Sequence, residues 1–171
     1  MWGLSKINHE FKLWGYYILK QIPGRIGCYM RYVLIVKNKR GYCKIWEGVQ
    51  IDSISKLFLG NNVSINRGCI INCAGVVEIG DDSMLGPNVL VYSQSHKFRD
   101  KSLKINQQGY VVKKVKIGKN CWIGAGAIIL PGVTIEDNSV IAAGSVIVKN
   151  VNANTLIINK RNRVDFDLFN S

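Results

Sequence analysis

Only two histidines occur in the 171 residues, and one of them, His96, stands in the run Ser93-Gln94-Ser95-His96-Lys97-Phe98. Imidazole, with a reference pKa near 6.5, is largely neutral at pH 7 and can accept a proton. A lone loop histidine is by default a bystander, so its standing depends on the element that carries it. The other histidine, His9, is given no role. Five cysteines, an odd number with no C-x-x-C spacing, suit neither a disulfide framework nor a structural zinc site, and point to a reducing, cytoplasmic setting. Two histidines cannot supply a three-histidine zinc set, and no metal is expected.

The element around His96 follows a six-residue period. Ile117, Ile123, Ile129, Ile135, Ile141 and Ile147 are spaced by six, and two residues before each stand Val115, Cys121, Ala127, Val133, Ser139 and Ser145. Upstream, Ile79, Leu85 and Val91, then Leu59, Ile65 and Ile71, repeat the pattern. This period fits neither helical drift nor a hairpin sheet; it is the signature of a parallel β-helix, three hexads to a triangular coil. The aliphatic residue points inward, the small one fills a corner, and Asn and Gly accept the turns. Roughly five coils at the strand spacing make a prism about 25 Å tall. Its flat sides can pair with copies of the chain.

The rhythm breaks three times. Ile51 to Leu59 and Ile71 to Ile79 are eight apart, each a small corner insertion, whereas residues 92–110 lie outside the register altogether. A long loop on a regular scaffold is where function concentrates, and this one carries His96. Trp122, one residue before an inward isoleucine, must point outward, which is costly unless another subunit or a ligand covers it.

Residues 1–42 form a different region. Leu4, Ile7, Phe11, Trp14 and Ile18 make one apolar stripe of a helix, Pro23-Gly24 breaks it, and a second short helix follows from Arg25 to Val36. The chain carries a net charge of +12, and this segment holds eight basic residues against Glu10. It is expected to cap the prism or to rest on an anionic membrane surface. The chain therefore divides into a basic helical region (1–42), a β-helix domain (43–150) with the loop 92–110, and a tail (151–171). It has no apolar run long enough to span a bilayer, and its start lacks the ordered regions of a secretory signal.

The run Ile117-Gly-Lys-Asn-Cys-Trp-Ile-Gly-Ala-Gly-Ala-Ile-Ile-Leu-Pro-Gly-Val-Thr-Ile135, continued by Glu-Asp-Asn-Ser-Val-Ile-Ala-Ala-Gly-Ser-Val-Ile-Val-Lys149, resembles the hexapeptide-repeat acyltransferases. Within them it is most similar to the maltose/galactoside O-acetyltransferases and the O-acetyltransferases of surface-polysaccharide synthesis. The resemblance covers roughly residues 57–150. It implies a left-handed β-helix, a homotrimer, and acetyl-CoA in the groove between neighbouring subunits. It assigns His96 as general base toward a sugar hydroxyl, and Asn72, with Ser95 beside the histidine, to the acceptor. In many relatives an acidic residue precedes this histidine; here Ser95 does. The family pattern places Ala125 and Ala143 along the pantetheine arm of the cofactor, with Gly124, Gly126, Ala142 and Gly144 keeping that strip low and Trp122 beside it. Lys149 corresponds to a lysine near the CoA phosphates; Lys160, Arg161 and Arg163 join it on charge alone.

The acceptor is expected to be a small or lipid-linked sugar, met at the cytoplasmic membrane face. Transfer to an amino sugar or a xenobiotic is the nearest enzymatic alternative, and a non-catalytic β-helix scaffold the alternative from another class. Ice binding is disfavoured because only Thr134 and Thr155 supply threonine, and nucleotidyl transfer because no nucleotide-binding βαβ unit precedes the repeat. Nucleic-acid binding has charge in its favour but no recognition motif.

Overall fold

The structure, a computed structural model, describes residues 14–158. Three parallel sheets wrap one core. The first contains Asn38–Lys39, Leu57–Leu59, Val77–Ile79, Val115–Ile117 and Thr134–Ile135. The second stacks Lys44–Ile45, Ser64–Ile65, Met84–Leu85, Trp122–Ile123, Val140–Ile141 and Leu156–Ile157. The third stacks Gln50–Asp52, Ile70–Asn72, Leu90–Tyr92, Ile128–Ile129 and Val146–Ile147. Register is set by the hexad: Ile123 pairs with Leu85 and Ile141, and Ile129 with Val91 and Ile147. Every aliphatic position of the repeat is buried, and so is every residue two before it, serines included. Ser83 and Ser139 remain inside because their hydroxyls donate to the carbonyls of Gly118 (2.7 Å) and Asn152 (2.9 Å).

The turns are built from residues that tolerate left-handed backbone. Asn62, Asp82, Asn120, Asn138 and Asn154 stack at one corner with φ between 51° and 60°. Their short polar side chains also bond up the stack: Asn62 Nδ2 donates to Asp82 Oδ1 (2.9 Å) and Asn120 Nδ2 to Asn138 Oδ1 (3.0 Å).

The prism is longer than the sequence suggests. The second face has six strands, and the first coil begins at Asn38–Lys39, inside the segment expected to be helical. Lys39 hid this coil by taking an aliphatic position of the hexad. Its Nζ donates to the Tyr32 carbonyl (2.5 Å) and lies 3.9 Å from the centre of the Tyr32 ring. At the other end Val151 bridges to Ile135 and Leu156–Ile157 pairs with Val140–Ile141, so strand structure continues past 150.

Residues 14–21 are helical, followed by the helix Gly24–Leu34. The described part of the expected apolar stripe does not face the core: Trp14 is 69% exposed and Ile18 60%, whereas Leu19 is buried, with Tyr16 and Ile22 packed beside it. The reason is a clamp. Arg31, wholly buried, donates from Nε to the Ile45 carbonyl (2.7 Å) and from Nη1 to those of Leu19 and Ile22 (both 2.8 Å). That bolts both helices to the first coil and turns the 16/19/22 face inward. Arg31 is thus internal, unavailable to an anionic partner. Leu4, Ile7, His9 and Phe11 at one end, and Lys160, Arg161 and Arg163 at the other, lie outside the described residues.

Candidate active site

The large interruption is not an irregular loop. Gln94–His96 runs antiparallel to Tyr110–Val112, making a hairpin arm that leaves the prism after the third face. Ser93 roots it. Its buried hydroxyl donates to the Asn72 carbonyl (2.6 Å) and accepts the Gly75 N–H (2.8 Å), and its carbonyl accepts the Lys113 N–H (2.9 Å) as the chain returns. Gly75 is there because the returning strand passes over it; a Cβ would lie 3.0 Å from Val112 Cγ1 and 3.1 Å from the Lys113 carbonyl oxygen.

On the arm His96 stands directly opposite Tyr110, with ring centroids 4.6 Å apart and planes tilted by 43°. The ring has no hydrogen-bond partner among the described residues, and the contact it makes across the arm is with the Tyr110 ring. Nothing in the local motif pointed to Tyr110, fourteen residues away. Only the antiparallel register brings it across. His96 is exposed and lines a hollow of 430 Å³ with Lys97, Phe98, Arg99, Leu103 and Val111. Ser95 is also exposed, paired with Val111. Asn72, at the arm's root, has both ends of its amide engaged: Nδ2 donates to Asp52 Oδ2 (3.4 Å) and Oδ1 accepts the Ala74 N–H (3.3 Å). It builds the turn on which the arm stands.

The second group of expected residues assembles elsewhere. Trp122 points outward from the second face and is 54% exposed, between Met84 and Val140. At the next corner Gly124, Ala125, Ala142 and Ala143 form one strip. A Cβ on Gly124 would meet the Ala143 nitrogen at 2.5 Å and the Ile141 oxygen at 2.7 Å, and the Gly144 N–H donates to the Ala125 carbonyl (2.8 Å). Coil stacking alone therefore demands Gly124. It does not demand the exposed Ala125 and Ala143, whose methyls keep the outside of this corner low. A thin, flexible pantetheine chain fits such a strip, with the Trp122 indole as an apolar flank. Lys149 is exposed beyond Val146–Ile147. The structure thus joins Trp122, Gly124, Ala125, Ala142 and Ala143 into one surface, and Asn72, Ser95 and His96 into another. No residue of the strip lines the hollow at His96.

A family model described as bacterial transferase hexapeptide (six repeats) matches residues 114–149. The chain is 30% identical to a maltose O-acetyltransferase from Clostridium difficile 630, across 90% of this chain and 83% of that one, with a TM-score of 0.75. It belongs to the hexapeptide-repeat acyltransferases, the left-handed β-helix family. It is also 37% identical over 102 residues to the galactoside O-acetyltransferase of Escherichia coli (strain K12), covering 60% of this chain and 49% of that one. A hexapeptide-repeat-containing acetyltransferase from Vibrio cholerae, solved with acetyl coenzyme A, is 25% identical over 81% of this chain and 74% of its own, with a TM-score of 0.53. The chain spans about half the length of these curated relatives. Within this family membership, the arm is the interruption of the repeat and the low corner is part of the repeat itself.

Proposed function

We propose that this chain is an O-acetyltransferase that moves an acetyl group from acetyl-CoA to a sugar hydroxyl, with His96 as general base. The observation that carries the proposal is the placement of one imidazole, backed by Tyr110, at a hollow on the only arm that leaves the described prism. An alcohol is a poor nucleophile at neutral pH, and a positioned base typically contributes ~10² to 10⁴-fold. His96 takes the hydroxyl proton as the sugar oxygen bonds to the thioester carbonyl carbon. The carbon–sulfur bond then breaks, and the imidazole returns the proton to the departing thiolate. No acyl-enzyme is needed when both substrates are held together. Acetyl-CoA supplies the activated acetyl group, and Trp122, Ala125, Ala142 and Ala143 would hold its pantetheine chain, with Lys149 toward its phosphates.

The separation of the two surfaces supports a homotrimer in which the arm of one copy serves the strip of its neighbour. The exposed Trp122 and Met84 favour the same reading, since both would be covered at such a contact. Exposed Trp14, Tyr17, Ile18, Ile26 and Tyr29 on the two helices support peripheral contact with a cytoplasmic membrane face, where lipid-linked glycans of surface polysaccharides are assembled. Vesicle sedimentation of the parent and of the variant Trp14→Ser/Ile18→Ser/Ile26→Ser, which leaves the Arg31 clamp and the strand Asn38–Lys39 in place, tests that part; equal partitioning contradicts it.

The catalytic assignment is tested by following CoA release with a panel of hexoses, amino sugars and nucleotide sugars. His96→Ala is expected to fold, to bind CoA as the parent does, and to lose ~10² to 10⁴-fold in turnover. Full turnover in that variant overturns the assignment. Release with amino sugars alone moves the reaction to nitrogen.

A further inference from the structure

The arm is basic, and its cations lack partners. Between Gln94 and Val112 the sequence places Lys97, Arg99, Lys101 and Lys104 against the single acid Asp100. The ion pairs of the described residues, Arg67–Glu47, Lys114–Glu78 and Lys119–Asp81, use none of these four. Asp100 offsets one of the four charges, four less one leaving the arm at a formal +3 with His96 neutral, and it forms no ion pair with any of them. Its carboxylate accepts the backbone N–H (2.9 Å) and hydroxyl (2.6 Å) of Ser102, and these bonds hold it below the usual carboxylate range.

The loop that presents these charges is ordered by one side chain. Gln108 Nε2 donates to the carbonyls of Asp100 (2.8 Å) and Leu103 (3.0 Å), and its Oε1 accepts the Asp100 N–H (3.1 Å). Lys97, Arg99 and the carboxylate Asp100 line the same hollow as His96, and its 430 Å³ lies within the range of about 300–1,000 Å³ of small-molecule sites. Phe98 and Leu103 add apolar wall suited to the C–H face of a pyranose. Two cations against one carboxylate leave the hollow an excess of positive charge that a neutral acceptor does not use.

We infer that the acceptor is an anionic sugar, bearing a phosphate or a carboxylate, whose charge is held by Lys97 and Arg99 while its hydroxyl faces His96. This rests on the acetyl-transfer reading above and narrows its substrate class. Arg99 offers a bidentate fork for either anion, and Lys97 a point charge next to the base.

The test compares three acceptors by CoA release: a methyl hexoside, the same hexose bearing a phosphate, and the corresponding hexuronate. Each is measured with the parent and with the double variant Lys97→Gln/Arg99→Gln, at low salt and at about 1 M salt, where screening is nearly complete. The expected result is about a tenfold advantage in kcat/KM for one of the anions at low salt. That advantage collapses in the double variant and at high salt, while KM for acetyl-CoA stays within about twofold; which anion wins decides between phosphate and carboxylate. Equal use of the neutral hexoside overturns the inference. So does a double variant that raises KM for acetyl-CoA about tenfold and leaves acceptor preference intact, which would give the two cations to the donor's phosphates. No release with any acceptor contradicts acetyl transfer itself and the inference with it. Turnover that survives His96→Ala removes the base but leaves the charge preference standing.

Discussion

The chemistry proposed for the arm rests on His96 and its neighbour Tyr110, and the two were unequally visible. His96 could be found from sequence because a six-residue beat stops on either side of it. Tyr110 could not, since its partnership exists only through antiparallel pairing across the arm. We read its role as positional, and that is testable. Tyr110→Ala is expected to lower kcat about tenfold with little change in KM, and Tyr110→Phe, which keeps the ring, to restore most of it; steady-state kinetics on the pair decides. A Tyr110→Phe variant as impaired as the alanine would mean that the hydroxyl, not the stacked ring, is what matters. Asn72 has a structural use that its type alone did not reveal. Its amide bonds Asp52 and the Ala74 N–H, which ties it into the turn at the arm's root. Arg31 was counted among surface charges for the same reason: side-chain type says nothing about three carbonyls brought together by tertiary packing.

The elements were legible wherever the hexad kept to aliphatic residues, and obscure where it did not. Lys39 concealed the first coil, and the four-residue step from Ile147 to Val151 concealed the last. The arm's root and the coil corners make separable predictions at this scale. Ser93→Ala leaves the buried Gly75 N–H without its acceptor, at a cost of about 1–3 kcal/mol, read from chemical denaturation, with faster proteolysis within 94–112. If stability and cleavage are unchanged, the arm is rooted by something else. At the corner of the low strip, Gly124→Ala must push the Ala143 backbone away, since the added Cβ would stand 2.5 Å from its nitrogen. Lower stability is expected even without acetyl-CoA, and an undisturbed unfolding midpoint would show that the coils can part there freely.

For the molecule as a whole, the core holds its thiols protonated. Burial pushes Cys69 up to about 11 and Cys73 to about 12, and Cys28, Cys43 and Cys121 are buried too. A thiol whose value is raised on folding contributes stability that is complete below the unfolded value of about 9 and is lost as pH climbs toward the folded one. Unfolding midpoints are therefore expected to hold level up to about pH 9 and fall from there to pH 12; a flat profile across that window contradicts the burial. The larger claim, proposed above, is that one copy's arm works on another copy's strip, because within one chain no strip residue lines the hollow at His96. The direct measurement is complementation between two inactive chains, His96→Ala and a strip-blocked Ala143→Trp, co-expressed and assayed for CoA release. Random mixing into rings is predicted to restore about a quarter of the parent activity, since one interface in four pairs an intact arm with an intact strip. Mixed assemblies that form and stay as inactive as either parent variant would place both halves of the site on one chain and contradict the account.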